Sequence, residues 1–255
     1  MENASLVGLS RQIALSRQLD VVANNIANIN TTGYKSDSTV FHEFLMPGVR
    51  ASQFRGADGA VSFVHDRATW IDFTQGAVQP TGNPLDVAVS GNAFLTVQTP
   101  RGERYTRNGA LQINNQGQLV TSEGLQVVGT NGPIVFQPND REISIGIDGT
   151  ISVREGQSTI DAQRGKLKLA SFAAPRLLQK DGTSTYMAPA GVTPREPTDA
   201  KVTQGAIEKS NVQSVTEMSR MIEITRTYTQ IAQILQNHSD MRRTAIDKLA
   251  EVPTT

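Results

Sequence analysis

The chain has 255 residues, and its 24 Lys plus Arg balance 24 Asp plus Glu, so the formal net charge at neutral pH is zero. That balance excludes the basic footprint of a nucleic-acid binder. The lack of any cysteine excludes a disulfide scaffold, a Cys-ligated metal site and thiol catalysis, and no cofactor is expected. Leu, Ile, Val and Phe make up about 24% of the residues, enough apolar surface for a folded core of one or two domains.

The chain opens on Met1-Glu2-Asn3-Ala4-Ser5-Leu6, with no positive n-region and no unbroken apolar h-region, so no cleaved secretion signal is expected. No apolar run approaches the roughly 20 residues needed to cross a bilayer, so membrane insertion is not expected either.

Leu15, Leu19, Val22, Ile26 and Ile29 recur at steps of 4, 3, 4 and 3, with Leu6, Leu9 and Ile13 in an offset row. This spacing predicts one long helix from about Ala4 to Ile29. Gly33 follows, where a left-handed residue often closes a helix, and Asn30-Thr31-Thr32 reads as the exit turn.

From residue 65 to 204 the period falls to 2, and turn signals separate short apolar runs. Strands are expected at Leu85–Val89, Phe94–Thr99, Glu103–Thr106, Ala110–Ile113, Leu119–Thr121 and Gln126–Val128. Further strands are expected at Ile134–Phe136, Ile143–Ile147, Ile151–Val153 and Lys166–Phe172. The runs from Ile113 through Gly117 to Leu119 and from Ile145 through Gly149 to Ile151 share one spacing, so one hairpin type is expected twice. Pro47 to Ala60 reads as a loop, and Pro175 to Gln204 as an irregular return path.

Near the end, Met221, Ile224, Tyr228, Ile231, Leu235 and His238 run at steps of 3, 4, 3, 4 and 3, beside a second row of Val215, Met218, Ile222 and Thr225. A helix is expected from about Asn211 to Ala250, with Asn211 or Ser214 as its cap. The whole is an α+β chain: residues 1–35 form the first helix and its exit turn, 36–64 a linker, 65–204 a central domain of short antiparallel strands, and 205–255 the last helix. The two terminal helices are expected to pair as a coiled-coil-like stem, and an outer apolar row on the second implies further chains as partners.

Chemistry finds little purchase. His42, His65 and His238 stand at no metal-ligand spacing, and His238 continues an apolar row as a packed or interface histidine. No Gly-x-Ser-x-Gly elbow supports a nucleophile beside His65-Asp66, and Gly129 to Gly132 and Gly146 to Gly149 read as hairpin turns, not phosphate loops. Asp148 with Glu142 or Glu155 is a conceivable glycosidase pair that nothing in the sequence brings together. Catalytic, metal and cofactor sites are all expected to be absent. The amides of Asn24, Asn25, Asn28 and Asn30 are poor helix formers. Asn24 and Asn28, one turn apart beside Ile26 and Ile29, either set register at the helix seam or serve to end the helix.

Ala23-Asn-Asn-Ile-Ala-Asn-Ile-Asn-Thr-Thr-Gly33-Tyr34-Lys35 resembles the N-terminal signature of bacterial flagellar rod and hook proteins. Gly205-Ala-Ile-Glu-Lys-Ser210-Asn211-Val212, followed by Met218, Met221-Ile222 and Arg226, resembles their C-terminal one. Thr74-Gln75-Gly76, Thr81-Gly-Asn-Pro-Leu-Asp86 and Tyr105-Thr-Arg-Asn-Gly109 are similar to the central segment shared by the rod members, and the opening is most similar to the proximal-rod branch, with the distal-rod branch the runner-up.

The resemblance implies a non-catalytic axial subunit that assembles with itself and neighbouring rod proteins, is exported by the flagellar type III apparatus without a cleaved signal, and resides in the basal body within the periplasm. Its interface would lie along Leu15, Leu19, Val22, Asn24, Ile26, Asn28 and Ile29 of the first helix and Met221, Ile224, Tyr228, Ile231, Leu235 and His238 of the second. Phe41-His-Glu-Phe44-Leu45 is similar to the Phe-x-x-x-apolar element with which early export substrates dock at the export gate. As residues alone, Phe41 and Leu45 serve equally as helix or core positions. The readings from other classes are a secreted β-rich hydrolase of cell-wall glycan and a cell-wall-binding or phage-tail-like module.

Overall fold

The structure, a computed structural model, describes residues 2–45, 62–156 and 160–250. It divides into two units: Met1–Ile26, Asp37–Trp70 and Gln213–Thr255 form the first, and Ala27–Ser36 with Ile71–Val212 the second. The fold is two terminal helices and a central β-rich domain of antiparallel strands.

In the first unit, α1 spans Glu2–Ala27 and α2 spans Ser214–Ala250. The first ends two residues before the expected Ile29, because Asn28 and Thr31 satisfy each other instead: the Thr31 N–H donates to the Asn28 carbonyl at 3.2 Å and its hydroxyl to the Asn28 side-chain oxygen at 3.0 Å. Asn211 does not cap α2; its side chain is turned to the loop at Ser36 and Asp72, and the Glu217 N–H donates to the carbonyl of Gln213 at 3.0 Å. Two strands without a clean period-2 pattern, Asp37–Leu45 and Ser62–Ile71, pair as a two-stranded sheet. The expected loop from Pro47 to Ala60 lies outside the described residues.

In the second unit, Ala93–Thr99 is the hub of a nine-stranded sheet, hydrogen-bonded to Gly102–Thr106, Gln126–Gly129 and Leu169–Ser171. Two cores form around it. Val87, Leu95, Val97, Val127, Ile151 and Leu167 belong to an aliphatic cluster. The other face of the hub carries Phe94, stacked edge-on with Phe73, Phe172 and Tyr186 at centroid distances of 5.4, 5.9 and 6.0 Å. The alternation of Phe94 and Leu95 on one strand thus serves two cores.

The twin hairpins form as the spacing requires. The Gly117 N–H donates to Asn114 O at 2.9 Å and the Asn114 N–H to Gln118 O at 3.0 Å; the Gly149 N–H donates to Gly146 O at 2.9 Å and the Gly146 N–H to Thr150 O at 2.8 Å. Both turns close through a left-handed glycine, with φ of +75° at Gly117 and +83° at Gly149.

Three strand expectations need correction. Ile134–Phe136 is not a strand; it holds one bridge, Gln118 to Val135, beside a short strand at Gly132–Pro133. Lys166–Phe172 splits into Asp161–Lys166 and Leu169–Ser171, which belong to different sheets. The return path is not irregular throughout: Gln179–Lys180, Thr185–Met187 and Lys201–Gln204 are strands, the last paired with Val87–Ser90. Their prolines and polar residues hide the pattern, since Lys201–Gln204 buries only Val202.

Asp140–Ile145, Thr150–Glu155 and Asp161–Lys166 form a three-stranded sheet. Across it Arg164 grips Asp140 with two hydrogen bonds, 2.8 and 2.5 Å, and the Asp140 side chain is 2% exposed. The Arg164 guanidinium holds the Asp140 carboxyl below the ordinary carboxylate range. A depressed carboxyl contributes stability that is present above its unfolded value and lost as pH falls through the folded one. Replacing Asp140 with Asn should therefore lower stability at neutral pH and flatten its acid decline below about pH 4; denaturant unfolding of both proteins at pH 7 and pH 3 checks this.

Candidate functional site

The segments that carry the family resemblance meet in one buried cluster of the second unit. Lys35, at the end of the exit turn, points its Nζ at Glu208 Oε1, 2.5 Å away, and donates to the Thr74 carbonyl at 2.6 Å. Gly76 N–H donates to the same carboxylate oxygen at 2.8 Å, and Arg107 approaches Oε2 at 3.4 Å. The Gly33 N–H donates to the Glu208 main-chain carbonyl at 2.7 Å. Asn211 accepts from the Ser36 N–H at 2.8 Å and donates to the Asp72 carbonyl at 2.8 Å.

Two cations converge on one carboxylate here, and all three side chains are almost sealed from water, at 0, 2 and 0% exposure for Lys35, Arg107 and Glu208. Burial pulls both Lys35 and Arg107 below their ordinary ranges, while the Glu208 charge opposes it. Arg107 spreads its charge further, donating to Val89 O and Gly91 O and lying 4.8 Å from the centroid of Phe94.

The local geometry explains the residue types. Gly33 has φ of +68°, and a Cβ there would fall 2.3 Å from the Arg107 carbonyl carbon. Its conformation therefore serves a backbone crossing six residues past the end of α1 and not the helix cap the sequence suggests. Thr81 and Asn83 donate to the Asp86 carboxylate at 2.7 and 3.0 Å, and the Gly205 N–H donates to Asp86 O at 2.8 Å, which places Ala206–Glu208 against Val78–Pro80. Sequence reading did not single out Lys35, Arg107 or Glu208, although each stands inside a quoted motif. Charged residues read as surface until their partners, 173 residues apart for Lys35 and Glu208, are known to meet.

Within the first unit the helix rows divide by exposure. Val22 and Ile224 are buried; Leu15, Leu19, Ile26, Tyr228, Ile231, Leu235 and His238 are half-buried; Met221 is exposed. Ile29, in the second unit, is half-buried. Gly8 of α1 faces Leu235 of α2 so closely that a Cβ on Gly8 would lie 2.7 Å from Leu235 Cδ2. A polar cavity of about 320 Å³ is lined by Arg11, Leu15 and Val22 of α1, Arg220 and Ile224 of α2, and Asp37. The second row is open: Val215 is 76% exposed, with Met218 and Ile222 beside it.

Of the two amides Asn24 and Asn28, Asn24 Nδ2 lies 3.4 Å from Asp37 Oδ2 and Asn28 Oδ1 accepts from the Thr31 hydroxyl at 3.0 Å. The fully buried amide is Asn25, which donates to Asp37 O and accepts from the Asp37 N–H, both at 2.9 Å. Phe41 and Leu45 have strand backbone, and their side chains lie outside what is described. Among the carboxylates weighed as a glycosidase pair, Glu142 and Glu155 pair with Arg154 and Arg164, and Asp148 accepts from Thr150.

Three family models match the chain: "Flagella basal body rod protein" over residues 6–35, "Flagellar hook protein FlgE/F/G D1 domain" over 88–153 and "Flagellar basal body rod FlgEFG protein C-terminal" over 203–248. The flagellar basal-body rod protein FlgF of Caulobacter vibrioides is 38% identical over 99% of this chain and all of its own length. The chain belongs to the flagellar basal-body rod protein family. Other members at similar span are FlgF of Mesorhizobium japonicum, 31% identical over 98% of both chains, and FlgG of Agrobacterium fabrum, 34% identical over 89% of this chain and 92% of its own. As a rod-family member this chain is a structural subunit of the flagellar basal body and not an enzyme. The N-terminal and C-terminal models end at or begin before the residues of the Lys35–Glu208 cluster, which ties the two matched ends of this rod protein together inside the second unit.

Proposed function

We propose that this rod protein is a proximal-rod subunit that polymerises through its terminal helices, with itself and with neighbouring rod proteins, to build the shaft that transmits torque. The observation that carries the proximal assignment is the end-to-end match to FlgF, 38% identical over nearly the whole of both chains. In this reading the two helices pair as a coiled-coil-like stem, which the approach of Gly8 to Leu235 supports, with residues 1–35 and 205–255 as the stem, 36–64 as the linker and 65–204 as the central domain. The seam follows the rows that run through Leu15, Leu19 and Val22 of α1 and through Met221, Ile224, Tyr228, Ile231, Leu235 and His238 of α2, and the open row at Val215, Met218 and Ile222 meets other subunits. Imaging isolated basal bodies that carry a tagged copy tests the assignment; density for the tag at the distal rod, or none in the rod, overturns it.

The same reading has the chain exported by the flagellar type III apparatus without a cleaved signal, and resident in the periplasmic part of the basal body. Phe41 and Leu45 are its gate-docking residues. The double change of Phe41 and Leu45 to Ala should leave the subunit inside the cell, with later rod and hook proteins unassembled. Cell fractionation followed by immunoblotting checks this, and a normal periplasmic level of the variant would assign those two side chains to packing alone.

A further inference from the structure

The strand Leu169–Ser171 leaves part of its outer edge open. The Thr96 N–H donates to Lys168 O at 3.1 Å and Ala170 stands opposite Phe94, so residues 168 and 170 turn their backbone groups to the hub strand. Backbone groups alternate sides along an antiparallel strand, so those of Leu169 and Ser171 face the other way. Ser171 is satisfied there: its N–H donates to Arg195 O at 2.8 Å, and the Arg195 N–H donates to Ser171 O at 2.9 Å. On the other flank, the Leu167 N–H donates to Gly149 O at 2.9 Å. Between these two closures the outward N–H and C=O of Leu169 make no bond to any of the described residues.

The cause is legible in the chain itself. Extending the register of Ser171 and Arg195 by two residues sets position 197 opposite Leu169, and Pro197 has no N–H to donate. Beside the gap lies a groove of about 430 Å³, lined by Leu167, Leu169, Ala170 and Pro197. Its charges are Lys166, Lys168 and Arg195 against Asp148 and Glu196, a positive excess. Lys166 lies 3.6 Å from Asp148 and Lys168 is held by Glu103 at 2.7 Å, whereas the exposed Arg195 guanidinium has no carboxylate among the described residues. From Leu167 to Ser171 the edge measures about 13 Å, room for a short extended segment. A main chain entering there accepts from the Leu169 N–H and donates to its C=O, as an added strand does.

We infer that this gap is a docking site for a short extended peptide of a partner protein, which pairs its backbone with Leu169 and sets an acidic side chain against Arg195. The site lies wholly within the second unit. It goes beyond the rod reading and needs neither terminal helix, so either can fail without the other.

Three synthetic hexapeptides test the site on the purified full chain: one alternating Val and Glu, one alternating Val and Lys, and the Val–Glu peptide with its central amides N-methylated. The Val–Glu peptide should bind with a Kd of about 1 mM or tighter. It should shift the amide resonances of Leu169 and Arg195 and slow hydrogen exchange at the Leu169 N–H. The Lys peptide, which brings the wrong charge, and the methylated peptide, which cannot donate to the strand edge, should each bind at least about tenfold more weakly. Arg195→Glu keeps the backbone bridge to Ser171 and should reverse the order of the Glu and Lys peptides. Absence of binding, binding that leaves the Leu169 amide unmoved, or equal binding of the Glu and Lys peptides overturns the site. Self-association of the chain that the Val–Glu peptide displaces would make a second copy the occupant and overturn the separate partner.

Discussion

Replacing Glu208 with Ala should destabilise the second unit by about 3–5 kcal/mol, the cost of leaving a buried charge without its partner. Lys35 and Arg107 are both sealed from water around it, and they would face each other with no carboxylate between them. The substitution also removes the acceptor of the Gly76 N–H. Denaturant unfolding of the purified chain measures the effect, with near-ultraviolet circular dichroism reporting on Phe94, Phe172 and Tyr186 of the nearby aromatic core. Glu208→Gln keeps an oxygen for Gly76 but not the charge, so it should fall between wild type and Ala. A loss below about 1 kcal/mol for Ala would mean that both cations reach solvent, and the account of the cluster would be wrong.

Replacing Leu235 with Asp should abolish swimming while leaving the β-rich unit folded. Leu235 is half-buried against Gly8, so Asp there removes an apolar contact and sets a charge between the helices, a penalty concentrated on the proposed stem. The equivalent change at Ile231, also half-buried, should act alike. Both residues belong to the first unit, and the cores around Leu95 and Phe94 belong to the second. Swim-plate diameter with electron microscopy of basal bodies measures the first effect, and the unchanged β-sheet circular dichroism of the purified variant the second. Normal swimming in either variant would remove the stem from the mechanism.

Several features were legible without any structure because they are local. Both helices follow from rows spaced by three and four residues, and their ends were misplaced by only two or three. The twin hairpins follow from a glycine at a fixed offset between apolar residues, and their hydrogen bonds repeat as the spacing does. Family membership was legible too, since the motifs at both ends and in the centre are contiguous stretches of chain.

What periodicity could not supply was long-range. The strands at Thr185–Met187 and Lys201–Gln204 have too few apolar residues to show a period, and they exist because Gly102–Thr106 and Val87–Ser90 offer them a ladder. Lys35, Arg107 and Glu208 read singly as solvated charges; only the fold brings residues 35, 107 and 208 together without water, and there the loss of hydration is tolerable because one carboxylate serves both cations and the carbonyls of Thr74, Val89 and Gly91 accept from them. The sequence by itself determined the helices, the turns and the family, because each depends on neighbours a few residues away. The buried ion cluster and the pairing of the return strands were decided by tertiary structure alone, because their energies arise between groups that approach only after the chain has folded.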